Sequence, residues 1–161
     1  MNITIRLATK KDLNKLAKIY VNSYSPLPTE EQWEEKTAKK LLSYWMIKQP
    51  DLFFVTEVNK KLAGAFVSGI KPWWDGNHLF DGEVFVDPKY QKLGAGSKLI
   101  KAVFTKAIKK YKAVTFEAST FKNTKFPLKW YKTMGILSNK ELVFISGDLK
   151  NALKKLAKES L

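Results

Sequence analysis

Between Glu83 and Phe104 the chain reads EVFVDPKYQKLGAGSKLIKAVF, and no other stretch limits the possible folds as much. It begins as an alternating strand, passes Pro88 and a turn bearing Gly94 and Gly96, and ends as an amphipathic helix. A glycine inside a helix costs about 0.8–1 kcal/mol relative to alanine, so two of them where a helix starts imply a need for bare backbone. A strand that feeds a helix N-terminus presents amide N–H groups with no partner inside the helix. With the helix dipole, those donors suit an anion. Lys92 and Lys98 add positive charge on either side, and a diphosphate fits the arrangement. The P-loop pattern G-x-x-x-x-G-K-[ST] is absent. A dinucleotide fingerprint would need G-x-G-x-x-G after the first βα turn of a parallel sheet, whereas this turn follows three strands that read as antiparallel.

The elements around this turn follow from periodicity. Alternation in NITIRLA predicts a strand over Asn2–Leu7. Thr9 and Asp12 form a capping box before a helix with Leu13, Leu16, Ala17, Tyr20, Val21 and Tyr24 on one face. Thr29 and Gln32 predict a second capping box, with Trp33, Thr37, Leu41 and Trp45 recurring every four residues and Pro50 closing the helix. From Leu52 the period falls to two. A hairpin turning at Asn59-Lys60 leads to a turn at Asp75-Gly76, then to the strand HLFDGEVFV. A helix over Ser97–Tyr111, the strand AVTFEAS and a short helix opened by Pro127 and ended by Gly135 complete the middle of the chain. ILSNKELVFISG predicts a closing hairpin turning at Asn139-Lys140. Asp148 would then cap an amphipathic helix with Leu149, Leu153 and Leu156 inward. The expected fold is one α/β domain over residues 1–161, with a mixed sheet and helices on both faces.

Composition excludes several chemistries. The 161 residues contain no cysteine, so disulfides, thiolate catalysis and Cys-ligated zinc are out, and a single histidine, His78, argues against a His-based metal site or a Ser-His-Asp triad. No metal is expected. The N-terminus lacks an apolar signal core and no run approaches a membrane span, so a cytoplasmic protein with no membrane partner is expected. The net charge is +14, from 29 Lys+Arg against 15 Asp+Glu. Such a surface invites a nucleic-acid reading, but Arg6 is the sole arginine. Arginine is the residue suited to bidentate phosphate and base-edge contacts, and a nucleic-acid partner is not favoured.

The segment VFVDPKYQKLGAGSKLI, with the strand order before it and WYKTMGI after it, resembles the GCN5-related N-acetyltransferase (GNAT) family. Gln91, Gly94 and Gly96 match its Q/R-x-x-G-x-G/A signature, and Pro88 and Tyr90 match the approach. The resemblance runs from Ile3 to Leu149 and leaves the C-terminal helix from Lys150 outside. It implies a mostly antiparallel sheet with a splayed parallel strand pair and an acetyl-CoA-dependent transfer of an acetyl group to a primary amine. The cofactor would be held by Gln91, Lys92, Leu93, Gly94, Ala95, Gly96 and Ser97 at the pyrophosphate and by the main chain of Val84, Phe85 and Val86 along pantetheine. Asn123 is a further expected cofactor contact, although it lies one position from the family's usual asparagine. Tyr131, four residues before Gly135, is the expected general acid. Glu83 is the candidate base or amine-orienting group, with Asp81 and an ordered water as alternatives. For the acceptor, the first two helices and nearby turns offer Tyr24, Trp33 and Trp45, of which Trp33 and Trp45 stand at helical spacing and are expected in the core, with Trp73, Trp74, Asp75 and Asp81 as the expected substrate contacts. A small or protein amine is the expected acceptor. Alternatives are an RNA-linked amine such as aminoacyl-tRNA, and a non-catalytic protein binding nucleic acid or CoA on the same fold. Pairing through edge strands makes a homodimer an expectation as well.

Overall fold

Alternation along the strands sorts side chains onto two faces, and each face has its own helices to cover it. The computed structural model describes residues 1–122 and 125–159. Its sheet runs β1 (Ile3–Leu7), β2 (Phe53–Val58), β3 (Lys61–Trp73), β4 (Gly76–Val86) and β5 (Ala113–Glu117), in that spatial order. All neighbours are antiparallel except β4 and β5, which are parallel. On one face Phe53, Val55, Ala65, Val67 and Phe85 pack under α1 (Leu13–Tyr24) and α2 (Glu35–Lys48), against Leu16, Tyr20, Leu42 and Trp45. On the other, Phe66 and Leu79 pack with Leu99, Ile100 and Val103 of α3 (Ala95–Tyr111) and with Tyr131 of α4 (Lys125–Lys132). The hairpin between β2 and β3 turns where expected, with Asn59 and Lys60 at φ +49° and +64°, the pair of positive values that a two-residue turn of matching twist requires.

The α2 start differs from the expectation. Thr29 and Gln32 lie in irregular chain, and the helix begins at Glu35. The Glu34 amide donates to Thr37 Oγ1 at 3.2 Å, and that hydroxyl donates back to the Glu34 carbonyl at 2.9 Å. Trp33 therefore sits ahead of the helix, packing by its edge on Tyr20. The C-terminal segment differs more. Residues 136–147 form no strand, and Leu142, Val143, Phe144 and Ile145 are exposed. Asn139 Oδ1 accepts from the amides of Glu141 and Leu142, satisfying the backbone locally where a ladder would otherwise be needed. In α5 (Leu149–Glu159) Asp148 caps the helix by accepting from the Asn151 amide at 2.8 Å, as its sequence suggests, but Leu149, Leu153 and Leu156 face outward.

β4 carries the feature that shapes the site. Val67 pairs with Glu83 but Gly69 pairs with Phe80, so β4 holds one residue more than β3 across this interval. Asp81 and Gly82 take φ +54° and +110° in the bulge. A Cβ at Gly82 would collide with the Val67 carbonyl. Buried Ser68 donates to the carbonyls of Phe80 and Asp81 at 3.2 and 2.5 Å, closing the bulge from the opposite strand. Cross-strand partners share a face, so the extra residue brings Glu83 to the same side as Phe80, the side covered by α1 and α2.

Candidate active site

The parallel pairing of β4 with β5 stops at Phe80–Glu117. Beyond it, Gly82–Val86 keeps its hydrogen-bonded partner β3 on one edge, and the edge toward β5 opens. The expected cofactor strand, Val84, Phe85 and Val86, lies along this opening, with Phe85 buried under Tyr20 at a ring separation of 5.1 Å. The Val86 carbonyl is already engaged, accepting from Gln91 Nε2 at 2.9 Å and Ser23 Oγ at 3.1 Å. Those two bonds tie the end of β4 to the turn and to α1.

The turn itself is built by Asp87, Pro88 and the glycines. Asp87 accepts from the Lys89 amide, and the Pro88–Tyr90 turn delivers Gln91 in extended conformation. Lys92 and Gly94 then take φ +61° and +86°. Gly94 is the N-cap of α3 and offers no side-chain cap. The first helical bond runs from the Lys98 amide to the Gly94 carbonyl, which leaves the amides of Ala95, Gly96 and Ser97 without helical partners. A Cβ at Gly94 would meet nothing within 4 Å, whereas one at Gly96 would lie 3.3 Å from the Trp130 ring. The two glycines therefore do different work: Gly94 supplies a conformation beside open space, and Gly96 lets α4 approach α3. Leu93 is partly exposed and Ala95 is buried. The donors, the open space and Lys92 fit a diphosphate, whereas Lys98, expected to add charge here, donates from Nζ to the Ile3 carbonyl of β1 at 3.4 Å. Asn123 lies outside the described residues.

Glu83 is clasped rather than ion-paired. Tyr20 and Tyr24, one helical turn apart on α1 and stacked at 4.4 Å, both donate to its Oε2, at 3.0 and 3.1 Å. Burial pushes the Glu83 carboxyl up to about 7, against the phenol hydrogen bonds that favour its charged form. Asp81 and Glu31 raise it further by their charge. Tyr131 is buried, and its phenol is pushed up to about 12, first by burial and then by the charge of Glu83. The charge of the expected base thus bears on the expected acid.

The other expected substrate contacts lie elsewhere. Trp73, Trp74 and Asp75 occupy the β3–β4 turn, eight residues along the strand from Glu83 and roughly 25 Å away by strand rise. Trp73 and Trp74 are 51% and 88% exposed, so neither is walled into a cleft with Glu83. Asp75 instead holds buried His78 at 2.7 Å, and Glu117 lies 3.1 Å from the other ring nitrogen. Asp81 does reach the site, through the bulge. Trp45 is buried in the core, as its spacing suggests. The Tyr20 and Tyr24 clasp was not foreseen. Its signal, two tyrosines four apart, is present, but the partner lies some sixty residues away.

Comparisons with known proteins agree with this geometry. Residues 13–136 match the acetyltransferase (GNAT) family. An uncharacterized N-acetyltransferase of Methanocaldococcus jannaschii is 30% identical over 144 residues, covering 87% of this chain and 62% of the relative, so this chain spans less than two thirds of that protein. A possible acetyltransferase from Clostridium difficile 630 superposes with a TM-score of 0.75 at 17% identity, over 92% of this chain and 99% of that one. An aminoglycoside N-acetyltransferase solved in complex with CoA gives 0.69 at 17% identity, over 91% and 95%. At those identities the two structures speak for the fold.

Proposed function

The chain belongs to the GNAT acetyltransferase family, and from that premise we propose that it moves an acetyl group from acetyl-CoA to a primary amine by direct attack. The observation that carries this reading is the joining of two half-sites at one opening. The Gln91–Ser97 turn presents unpartnered amides, and Glu83 presents a carboxylate whose Oε1 accepts no hydrogen bond among the described residues. When bound, acetyl-CoA supplies a thioester whose acetyl carbon takes the amine nitrogen and whose sulfur leaves with a proton.

The protein's own groups handle the two protons. An amine arrives from water as an ammonium and must lose a proton to react. Oε1 of Glu83 takes that proton, and a carboxyl titrating at about 7 is matched to the task at neutral pH. Tyr20 and Tyr24 hold Oε2, which fixes the orientation of Oε1. Tyr131, with its phenol at about 12, keeps a proton at neutral pH and holds it ready for the leaving thiolate. The amides of Ala95, Gly96 and Ser97, with Lys92, bind the diphosphate. Among the described residues no group of His, Asp and Glu is placed to hold a metal ion, and no helix is long and apolar enough to cross a membrane.

Calorimetric titration of acetyl-CoA into the protein at low and high salt tests this. Micromolar binding is expected at both, and Gly94→Glu should abolish it by placing a carboxylate among the anion's donors. Absence of binding at either salt, or equal binding by the variant, would overturn the reading.

A further inference from the structure

The C-terminal part of the chain keeps its apolar side chains in water. Among the described residues, eight of the nineteen exposed large hydrophobic side chains fall within residues 137–156, so the exposure is concentrated in one segment. Val143, Phe144, Ile145 and Leu149 are 80–84% exposed. The helix α5 has 11 residues, and a helix of that length is marginal in water unless a surface covers its apolar face.

The sequence of α5 separates its chemistry by angle. Residues 149–157 read LKNALKKLA, with three lysines and no acidic residue. At about 100° per residue, Leu149, Ala152, Leu153 and Leu156 share an arc of about 100°. Lys150 and Lys155 flank that arc, about 110° to either side of its centre, and Lys154 lies farther round. All three lysines are exposed, and none forms an ion pair among the described residues. The adjacent acid, Asp148, is committed to the Asn151 amide.

Two features therefore call for a partner: the leucines for an apolar phase and the lysines for anions. A nucleic acid would meet the lysines and leave the leucines in water. A second copy of this chain, itself carrying +14, would cover the leucines but set lysine against lysine. A bilayer surface with anionic headgroups meets both, with acyl chains under the leucines and phosphates beside the ammonium groups. Lysine stems can run along such a boundary while their heads stay in water.

We infer that α5 is a docking helix for an anionic lipid surface, lying among the headgroups with Leu149 and Leu153 inserted and Lys150 and Lys155 at the phosphates. No helix among the described residues is long and apolar enough to cross a membrane, so α5 lies on the bilayer. The exposed run from Leu142 to Ile145, which ends four residues before Leu149, enters the same boundary. This contact is independent of the acetyltransferase reading.

The full chain is sedimented with vesicles of phosphatidylcholine alone and of equal parts phosphatidylcholine and phosphatidylglycerol. Partitioning should be about 25-fold higher on the anionic vesicles, about fivefold for each flanking lysine. Leu149→Gln with Leu153→Gln should weaken binding to them by about a hundredfold. Lys150→Gln with Lys155→Gln should weaken it by about 25-fold. These positions are exposed and glutamine is a good helix former, so the melting temperature should match the parent's. Lys36→Gln with Lys39→Gln removes the same charge from exposed positions of α2 and should change binding by less than about threefold. Absence of binding, equal binding to both compositions, or equal losses for the two lysine pairs overturns the inference. Binding that the leucine pair leaves intact overturns it too, and competition by single-stranded RNA would then give the lysines to nucleic acid. A dimer in sedimentation velocity that the leucine pair dissolves, without vesicle binding, would give the face to a second copy and overturn it likewise.

Discussion

The two halves of β4 treat their charges in opposite ways. From Gly76 to Phe80 the strand is flanked on both edges, and each carboxylate beside it has a basic side chain as partner. Asp75 and Glu117 sit on the two ring nitrogens of His78, and Lys71 joins Glu117 at 3.0 Å while lying over the rings of Trp73 and Phe80. From Gly82 to Val86 one edge is open, and Glu83 has two phenols and no cation. A single bulge at Asp81–Gly82 divides the halves. Where the strand serves the fold, charge is neutralised. Where it opens, a partly buried carboxylate is kept unpaired, which costs stability and leaves it able to exchange a proton.

The sharpest way to break this comparison is Glu83→Gln. Loss of a proton acceptor of this kind typically costs about 10²–10⁴ in kcat/KM. In the parent, kcat/KM should rise with pH through about 7 as Glu83 ionises, and the variant should lose that limb. Stability should move the other way. A carboxyl raised from its ordinary value to about 7 in the folded state stabilises the protein fully below the ordinary value, and that contribution is lost as pH rises through 7. Above that pH the variant should therefore be the more stable form, by on the order of 2 kcal/mol. Thermal unfolding on either side of pH 7, alongside the rate profile, reads both effects. A profile that keeps its limb in the variant would move the base to Asp81 or to water.

Tyr131→Phe is expected to have the next largest effect, a fall in kcat of about 10² with the KM for acetyl-CoA changed by less than about threefold. The ring packs against Phe116 and Trp130, and phenylalanine preserves those contacts, so the melting temperature should barely move. With the parent phenol at about 12, the parent profile should show no alkaline limb near neutrality. An unchanged kcat would make Tyr131 a packing residue and assign the proton to solvent.

Much of this was legible from residues alone, and the exceptions share a cause. The glycine turn, the helix faces and the Asn59-Lys60 hairpin are local, so spacing reveals them. The same holds for the parallel return to β5, which needs a crossover between strands. The Tyr20–Tyr24 clasp on Glu83 joins segments some sixty residues apart and leaves no local mark. Simple alternation puts Asp81, Glu83 and Phe85 on one face, but the bulge resets the count, and Gly82 is the visible trace of it. ELVFI has strong strand propensity, yet propensity supplies no partner, and Leu142 to Ile145 stay exposed. Trp73 and Trp74 are expected substrate contacts because two adjacent indoles beside a turn cannot both point inward. The β3–β4 turn leaves both in solvent, far from Glu83.

The smallest expected effect sharpens the comparison from its other side. Glu117→Gln weakens the clamp on His78 and Lys71 in the paired half of β4. These groups are partly exposed, so the loss in stability should stay below about 1 kcal/mol. Burial raises the Glu117 carboxyl, but hydrogen bonds from Lys71 and His78 outweigh it, and the net shift is downward. Its contribution is therefore present above the ordinary carboxylate range and is lost as pH falls, the reverse of Glu83. Acetyl transfer should keep its pH profile in this variant, since nothing at Glu117 touches the open half of the strand. Chemical denaturation at neutral and at acidic pH would show the gap between parent and Glu117→Gln closing on acidification. A gap that stayed constant would mean that Glu117 holds β5 through packing alone. The division of β4 would then rest on its hydrogen bonding and not on its charges.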